Sequence, residues 1–315
     1  MAAKKAIVTG GAGFIGSHVS DALISRGFEV AVIDNLSSGK RQNLAPKAKF
    51  YEADIRDASI AGIFAHEKPQ YLFHFAAQMD VRKSVTDPRY DADVNIGGTI
   101  NLLEAGHAAG LEKTVYASTG GAVYGEPKTL PADEHTPVDP LCPYGISKHT
   151  VEHYLALYKK LYGMNYTVLR YANVYGPRQD PHGEAGVVAI FSQLMLSGKQ
   201  PRIFGDGTKT RDYVYVGDVV AANMLALEQG DGAVMNLGWG KEVKDQQIFD
   251  GVRKAVGCDI TAEYAPARLG EVGYISLDAT LARQVLGWRP KVKLDEGLKR
   301  AVDFYRKLNA GEITR

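Results

Sequence analysis

The sequence predicts an α/β chain: a doubly wound parallel sheet with a smaller mixed α/β domain attached. Three observations carry this. Short apolar runs alternate with stretches of helical periodicity through the first half. The 34 glycines gather at particular turns and form no low-complexity tract. With 45% hydrophobic and 23% charged residues, 315 residues suffice for a sizeable core or two domains and exclude a mostly disordered chain.

The elements follow in order. The run at 6–9 is nearly all apolar, as in a strand buried on both faces. A helical stretch at 14–26 follows it. Further strands are expected at 29–33, 49–53, 71–75, 114–118 and 166–170, with helices at 59–65, 94–109 and 144–162. Such alternation implies right-handed crossovers in one parallel sheet. Beyond about 171 the rhythm loosens. Gly176-Pro177, Asp180-Pro181-His182-Gly183 and Gly205-Asp206-Gly207 are loop signals, and helices are expected at 191–196, 219–228, 245–256 and 281–286. The expected boundary lies at 177, giving a first domain at 1–177 and a second at 178–315, with segments crossing back.

Charge and composition narrow the partners. A formal net charge of +1 provides no global field for nucleic acid or an anionic membrane. No apolar run approaches the ~18 residues of a spanning helix. The N-terminus runs straight into strand pattern without a signal-peptide core. Two cysteines, Cys142 and Cys258, predict no disulfide framework and a reducing cytoplasm.

The most informative segment is Thr9-Gly10-Gly11-Ala12-Gly13-Phe14-Ile15-Gly16, between the first strand and the first helix. A phosphate needs backbone N–H donors with no Cβ in the way and the positive end of a helix. Gly10, Gly13 and Gly16 meet that need and allow close helix–strand packing. The second strand ends at Asp34, whose carboxylate can accept both ribose hydroxyls of an adenosine and would repel a 2′-phosphate. The combination predicts a Rossmann-type domain binding NAD in preference to NADP. Capping of the Asn35 turn is the other role open to Asp34. Asp54, ending the third strand, is expected to contact the adenine amino group or to cap the next helix.

Tyr144 and Lys148 stand four residues apart on one face of the helix opened by Pro143. A phenol of pKa ~10 becomes a base near neutrality only if its phenolate gains roughly 4 kcal/mol of differential stabilisation. A lysine ammonium and a positive nicotinamide ring in a poorly hydrated cleft are suitable sources.

These residues resemble the extended short-chain dehydrogenase/reductase family over almost the whole chain. The resemblance rests on Thr9–Gly16, Asp34, Asp54, Phe75-Ala76-Ala77, Asn95, Ser118, Tyr144–Lys148 and Arg170-Tyr171-Ala172-Asn173-Val174-Tyr175-Gly176-Pro177. Within the family it is most similar to the bacterial UDP-glucose (UDP-galactose) 4-epimerases. It implies reversible inversion at C4 of a UDP-hexose through a 4-keto sugar, with NAD retained and regenerated. It implies that the cofactor is met by Gly10, Gly13, Phe14, Ile15, Gly16, Asp34, Asn35, Ser38, Gly39, Asp54, Ile55, Phe75, Ala76, Ala77, Gln78, Asn95, Ser118, Tyr144, Lys148 and Tyr171. The substrate would be met by Thr119, Tyr144, Asn173, Arg211, Arg268 and Glu271, the arginines clamping diphosphate and uridine. Asp212 and Glu271 are also possible ion-pair partners for those arginines. A homodimer through the helices at 94–109 and 145–162 is implied as well.

One departure bears on the chemistry. Related enzymes often carry a Ser or Thr four residues before the Tyr of Val-Tyr-Gly, and here that place is Gly120. The hydroxyl then comes from Thr119, or Tyr144 works with water alone. Gly121 and Ala122 stand where nucleotide-sugar 4,6-dehydratases carry acidic residues. That class, a UDP-glucuronate 4-epimerase or decarboxylase, and a catalytically silent NAD-binding sensor are the alternatives. The position that lines the sugar pocket in similar enzymes falls on Ile275. A small residue there predicts acceptance of 2-acetamido sugars. His149-Thr150-Val151-Glu152-His153 matches a zinc-site pattern without a third ligand, so no metal is expected. Trp239 and Trp288 are expected to pack the smaller domain.

Overall fold

Residues 3–182, 186–266 and 272–315 are described by the computed structural model. Each apolar run of the first half forms a strand: β1 (Lys5–Thr9), β2 (Glu29–Asp34), β3 (Lys49–Glu52), β4 (Tyr71–His74), β5 (Lys113–Thr119) and β6 (Asn165–Tyr171). Apart from edge strand β3, their side chains are buried almost end to end, because helices cover both faces. Shorter strands follow: β7 (Asn173–Tyr175), β8 (Arg202–Phe204), β9 (Thr210–Arg211), β10 (Tyr213–Tyr215), β11 (Ala233–Leu237), β12 (Val243–Lys244) and β13 (Glu263–Ala265).

The main sheet is parallel and runs β11-β6-β5-β4-β1-β2-β3. Its order reverses at β1, where Thr9 lies in register with Ile33 on one side and His74 on the other. Such a reversal opens a crevice beyond the carboxyl ends of the strands. β11, late in the chain, returns to pair with β6.

The helices are α1 (Phe14–Ser25), α2 (Ser59–Glu67), α3 (Val81–Thr86), α4 (Pro88–Ala92), α5 (Gly98–Ala109), α6 (Gly120–Val123), α7 (Pro143–Tyr162), α8 (Val187–Leu196), α9 (Val216–Leu225), α10 (Asp245–Val256), α11 (Thr280–Leu286) and α12 (Leu294–Asn309). On one face of the sheet α1 and α9 bury Val19, Leu23, Val219 and Ala222. On the other, α2, α5 and α7 bury Ile60, Phe64, Leu102, Leu103, Val151 and Leu155. A third core joins α8, α10 and α12 through Phe191, Met195, Phe249, Val252, Leu298 and Val302. No described helix is long and apolar enough to cross a membrane.

Three expectations change. The helix expected over 219–228 starts at Val216 and stops at Leu225. The helix expected from 94 begins as a π-helical turn over Asp93–Gly97, within which Asn95 bonds both backbone groups of Gln78. Trp288 packs in the core of the main sheet, its indole N–H donating to the Asp218 carbonyl.

Candidate active site

The glycine loop is tight because its residues have no side chains. Gly10 adopts φ +68°, its N–H donates to the Ile33 carbonyl, and a Cβ there would lie 2.7 Å from the Ala76 nitrogen. A Cβ on Gly16 would lie 2.3 Å from the Gly10 carbonyl oxygen. Gly13 caps α1 without a side-chain hydrogen bond, and Phe14 and Ile15 form the half-buried first turn. The Asp34 carboxylate, nearly enclosed, accepts from the Ala12 and Leu36 N–H groups at 2.9 and 2.8 Å. Burial pushes its carboxyl above the ordinary value, against those two donors. Each carboxylate oxygen keeps a further lone pair. Gly39 leans on the carboxylate, since a Cβ there would sit 2.8 Å from Oδ1, while Ser38 is exposed. A loop bare of side chains at a helix N-terminus, with a buried acid at the end of β2, fits a dinucleotide.

Other expected cofactor residues are placed differently. Asp54 is committed to a local turn: Arg56 bonds both its oxygens and Asn35 donates to Oδ2 at 3.0 Å. Those Arg56 bonds pull its carboxyl down to about 2. Ile55 is core, and a Cβ on Gly98 would strike it. The Ser118 hydroxyl turns inward and donates to Glu152 at 2.6 Å, because alternation along β5 sends 118 and 119 to opposite faces. The Tyr171 hydroxyl bonds Asn223 inside the core. Phe75, Ala76 and Ala77 leave β4 against Gly10, and Gln78 meets Asn95.

Tyr144 and Lys148 open α7. Pro143 sits at its first position, where a missing N–H costs nothing. The buried Lys148 ammonium donates to the Ala117 carbonyl at 2.9 Å and lies 4.8 Å from the Tyr116 ring centroid and 6.0 Å from that of Tyr144. Burial lowers Lys148 to about 8, opposed by the charges of Asp91 and Glu152. The Tyr144 phenol is shifted up, not down, first by burial and then by nearby negative charge. The chain by itself therefore does not ready this phenol for ionisation, because burial disfavours the phenolate. Thr119 ends β5 beside the turn of α6, and Gly145 packs α7 onto that turn, a Cβ there lying 2.6 Å from the Ala122 carbonyl oxygen. Gly120 faces away from this cleft. Its Cβ would lie 2.3 Å from a methyl of buried Leu277, so a hydroxyl at 120 has no room.

Residues 6–238 match the model of the NAD dependent epimerase/dehydratase family. The chain belongs to this family. It is 47% identical to the UDP-glucose 4-epimerase of Mycolicibacterium smegmatis, over 96% of this chain and 98% of that one. A crystal structure of UDP-glucose 4-epimerase with UDP-glucose from Thermotoga maritima superposes with a TM-score of 0.95 at 51% identity, covering 97% of this chain and 99% of that one. The Thermus thermophilus UDP-glucose 4-epimerase in complex with NAD gives 0.91 at 45%, covering 96% and 99%.

Of the expected substrate residues, Asn173 begins β7, and its Oδ1 and the Thr119 hydroxyl oxygen flank Gly121, 3.6 and 3.8 Å from where a Cβ would stand. Arg211 donates to the Thr210 and Gly273 carbonyls. Asp212 is no surface partner for it: buried, it accepts backbone N–H groups from Trp239, Gly240 and Leu277. Arg268 and Glu271 lie outside the described residues. Ile275 is 2% exposed inside the core with Leu277, whereas Tyr274 is 54% exposed. Its placement therefore gives no support to a sugar-pocket wall at 275 or to acetamido acceptance. In the zinc-like pattern Glu152 is spent on Arg170, and no cluster of three metal-ligating side chains exists among the described residues.

The sequence reading missed Asp91 and Ser147. Asp91 is fully buried and accepts from Gln78 and Asn95, and Ser147 lies 3.1 Å from the Asn95 amide nitrogen. Nothing in a lone Asp on a short polar helix signals burial. Only its four-residue spacing from Asn95 hints at a shared face.

Proposed function

We propose that this chain catalyses the NAD-dependent, reversible inversion at C4 of a UDP-hexose, interconverting UDP-glucose and UDP-galactose. The observation that carries the reading is the meeting of Thr119 and the N-terminus of α7, with Tyr144 and Lys148, at the crevice edge of the sheet, with Gly120, Gly121 and Ala122 in the intervening turn. Without an acidic group there, elimination across C5–C6 lacks its proton donor, which argues against a dehydratase. Intact Tyr144 and Lys148 argue against a silent sensor.

In this reading Tyr144 takes the O4 proton and later returns it, and Thr119 donates a hydrogen bond to the same oxygen. Lys148 sets the local positive charge. Bound NAD, held by the glycine loop and Asp34, supplies the oxidation and re-reduction of C4. Asn173, Arg211 and Arg268 hold the diphosphate and uridine, guanidinium forks being suited to phosphates. Residues 1–177 with the returning α9 and β11 form the NAD-binding part, and the rest holds the nucleotide sugar. Two free cysteines accord with work in a reducing cytoplasm. The test is product analysis after incubation with UDP-galactose. UDP-glucose is expected. Unchanged substrate, or a 4-keto-6-deoxy product, would refute the reading.

Two further results are expected. Thr119→Ala should lower turnover about 10-fold or more, the worth of a hydrogen bond of ~1.4 kcal/mol at the transition state, with Thr119→Ser restoring it. Adding Gly120→Ser should not rescue Thr119→Ala, since that side chain meets Leu277. A second chain is proposed on α7, where Ile146 and Leu161 are 52% and 58% exposed and Leu157 lies between them, also exposed. The exposed positions of α5 are Glu104, His107 and Ala108, so the apolar contribution comes from α7. Light scattering should give a dimer at micromolar concentration, and a monomer after Leu161→Glu.

A further inference from the structure

Asp91 is a buried carboxylate that the reaction as described does not use. It is 0% exposed on α4. Its Oδ1 accepts from Gln78 Nε2 at 3.0 Å and from Asn95 Nδ2 at 3.1 Å. Its Oδ2 has no hydrogen-bond partner among the described residues. A buried carboxylate with an unbonded oxygen is costly unless a positive charge compensates it.

The hydrogen bonds around Asp91 tie three elements together. Asn95, in the π-helical turn, bonds both backbone groups of Gln78 just beyond β4. Its amide nitrogen also lies 3.1 Å from the Ser147 hydroxyl on α7, which donates to the Tyr144 carbonyl at 3.0 Å. α4 packs directly on α7. The charged and titratable groups around Lys148 can be sorted. Glu152 on α7 is neutralised by a two-point pair with Arg170. His74 on β4 is kept neutral, pushed down to about 3 by burial and by the Lys148 charge. Tyr116 on β5 and Tyr144 on α7 are both shifted up by burial and are uncharged at neutral pH. The charge that most favours the Lys148 ammonium is that of Asp91, ahead of Glu152.

We propose that Asp91 is the counter-charge of the Lys148 ammonium and the anchor of the Gln78–Asn95 clamp, a positioning residue for the Tyr144–Lys148 pair. Only the kinetic consequence of this rests on the epimerase reading. Asp91→Asn keeps the shape and an oxygen for Gln78 and Asn95, puts an amide NH2 in place of the unbonded oxygen and removes the charge. Lys148 then loses the charge that opposes burial.

The experiment follows the Lys148 resonance through a pH titration of full-length, lysine-labelled protein, assigned with Lys148→Met. In Asp91→Asn the lysine should titrate about one pH unit or more below wild type, the scale of a lost neighbouring charge. The alkaline limb of kcat with UDP-galactose should move down with it. A lysine that titrates as in wild type, with kcat lowered equally at every pH, overturns the proposal and makes Asp91 structural. Urea unfolding provides a second test should Asp91→Asn fold poorly. Lys148→Met leaves the Asp91 charge uncompensated, so the Lys148→Met/Asp91→Asn double variant should unfold at higher urea than Lys148→Met alone. Simply additive losses overturn the proposal. The titration and unfolding need no substrate, so they decide the pairing even if no UDP-hexose is turned over.

Discussion

Tyr144→Phe is expected to lower epimerase turnover at least ~10²-fold, the scale of a lost acid–base group, while the protein keeps its fold and its NAD. No described residue hydrogen-bonds the Tyr144 hydroxyl, so its removal leaves no broken network behind. Its ring stays beside Lys148, whose ammonium remains anchored on the Ala117 carbonyl. The loss should therefore appear in kcat and not in the melting temperature. The phenol's upward shift sharpens the expectation. Since burial disfavours the phenolate, the positive ring of a bound NAD would join Lys148 in favouring it. Turnover of Tyr144→Phe within a few-fold of wild type, measured by UDP-galactose consumption, would remove this side chain from the mechanism.

The sheet was legible in the sequence because strands buried on both faces are written as apolar runs, as at Ala6, Ile7 and Val8. The glycine loop and the Tyr144–Lys148 pair were legible because their chemistry depends on local spacing. Legibility failed where long-range packing decides. α12 buries Leu298, Ala301, Val302 and Tyr305 at helical spacing, yet no helix is expected from the sequence beyond 286, because the many charged residues of 294–309 mask that stripe. The role of Gly120 could not be read without Leu277, which lies far along the chain. Ser118 and Tyr171 illustrate another limit. Both stand at strand ends bordering the crevice, but one sends its hydroxyl to Glu152 and the other to Asn223, choices fixed by helices packed from elsewhere. Asp91 is hidden for the same reason.

Gly16→Ala is the second large effect expected, and it acts through the backbone. The added methyl would stand 2.3 Å from the Gly10 carbonyl oxygen, 2.9 Å from its carbon and 3.1 Å from the Gly11 Cα. All three are main-chain atoms, so no side chain can rotate away. α1 has to withdraw, or the loop has to shift. The loop has little freedom, since the Gly10 N–H is bonded to Ile33 at 2.9 Å and the Gly13 N–H to the Gly10 carbonyl at 3.0 Å. Ala12, between them, donates to Asp34 and accepts from Lys40 and Asn43. Moving the loop thus disturbs together the N–H groups proposed to meet the phosphates and the carboxylate proposed to meet the ribose. Overpacking of this kind costs about 1–3 kcal/mol, or roughly 2–4 °C in Tm per kcal/mol for a domain of this size. The cofactor loss should be larger than the stability loss, because the strain falls on the atoms proposed to bind it. Purified Gly16→Ala is expected to carry less NAD than wild type, released by denaturation and measured by mass, and to bind added NAD with a Kd at least about tenfold higher, the equivalent of ~1.4 kcal/mol. Full NAD occupancy together with an unchanged Tm would show that the loop does not hold the dinucleotide through this contact.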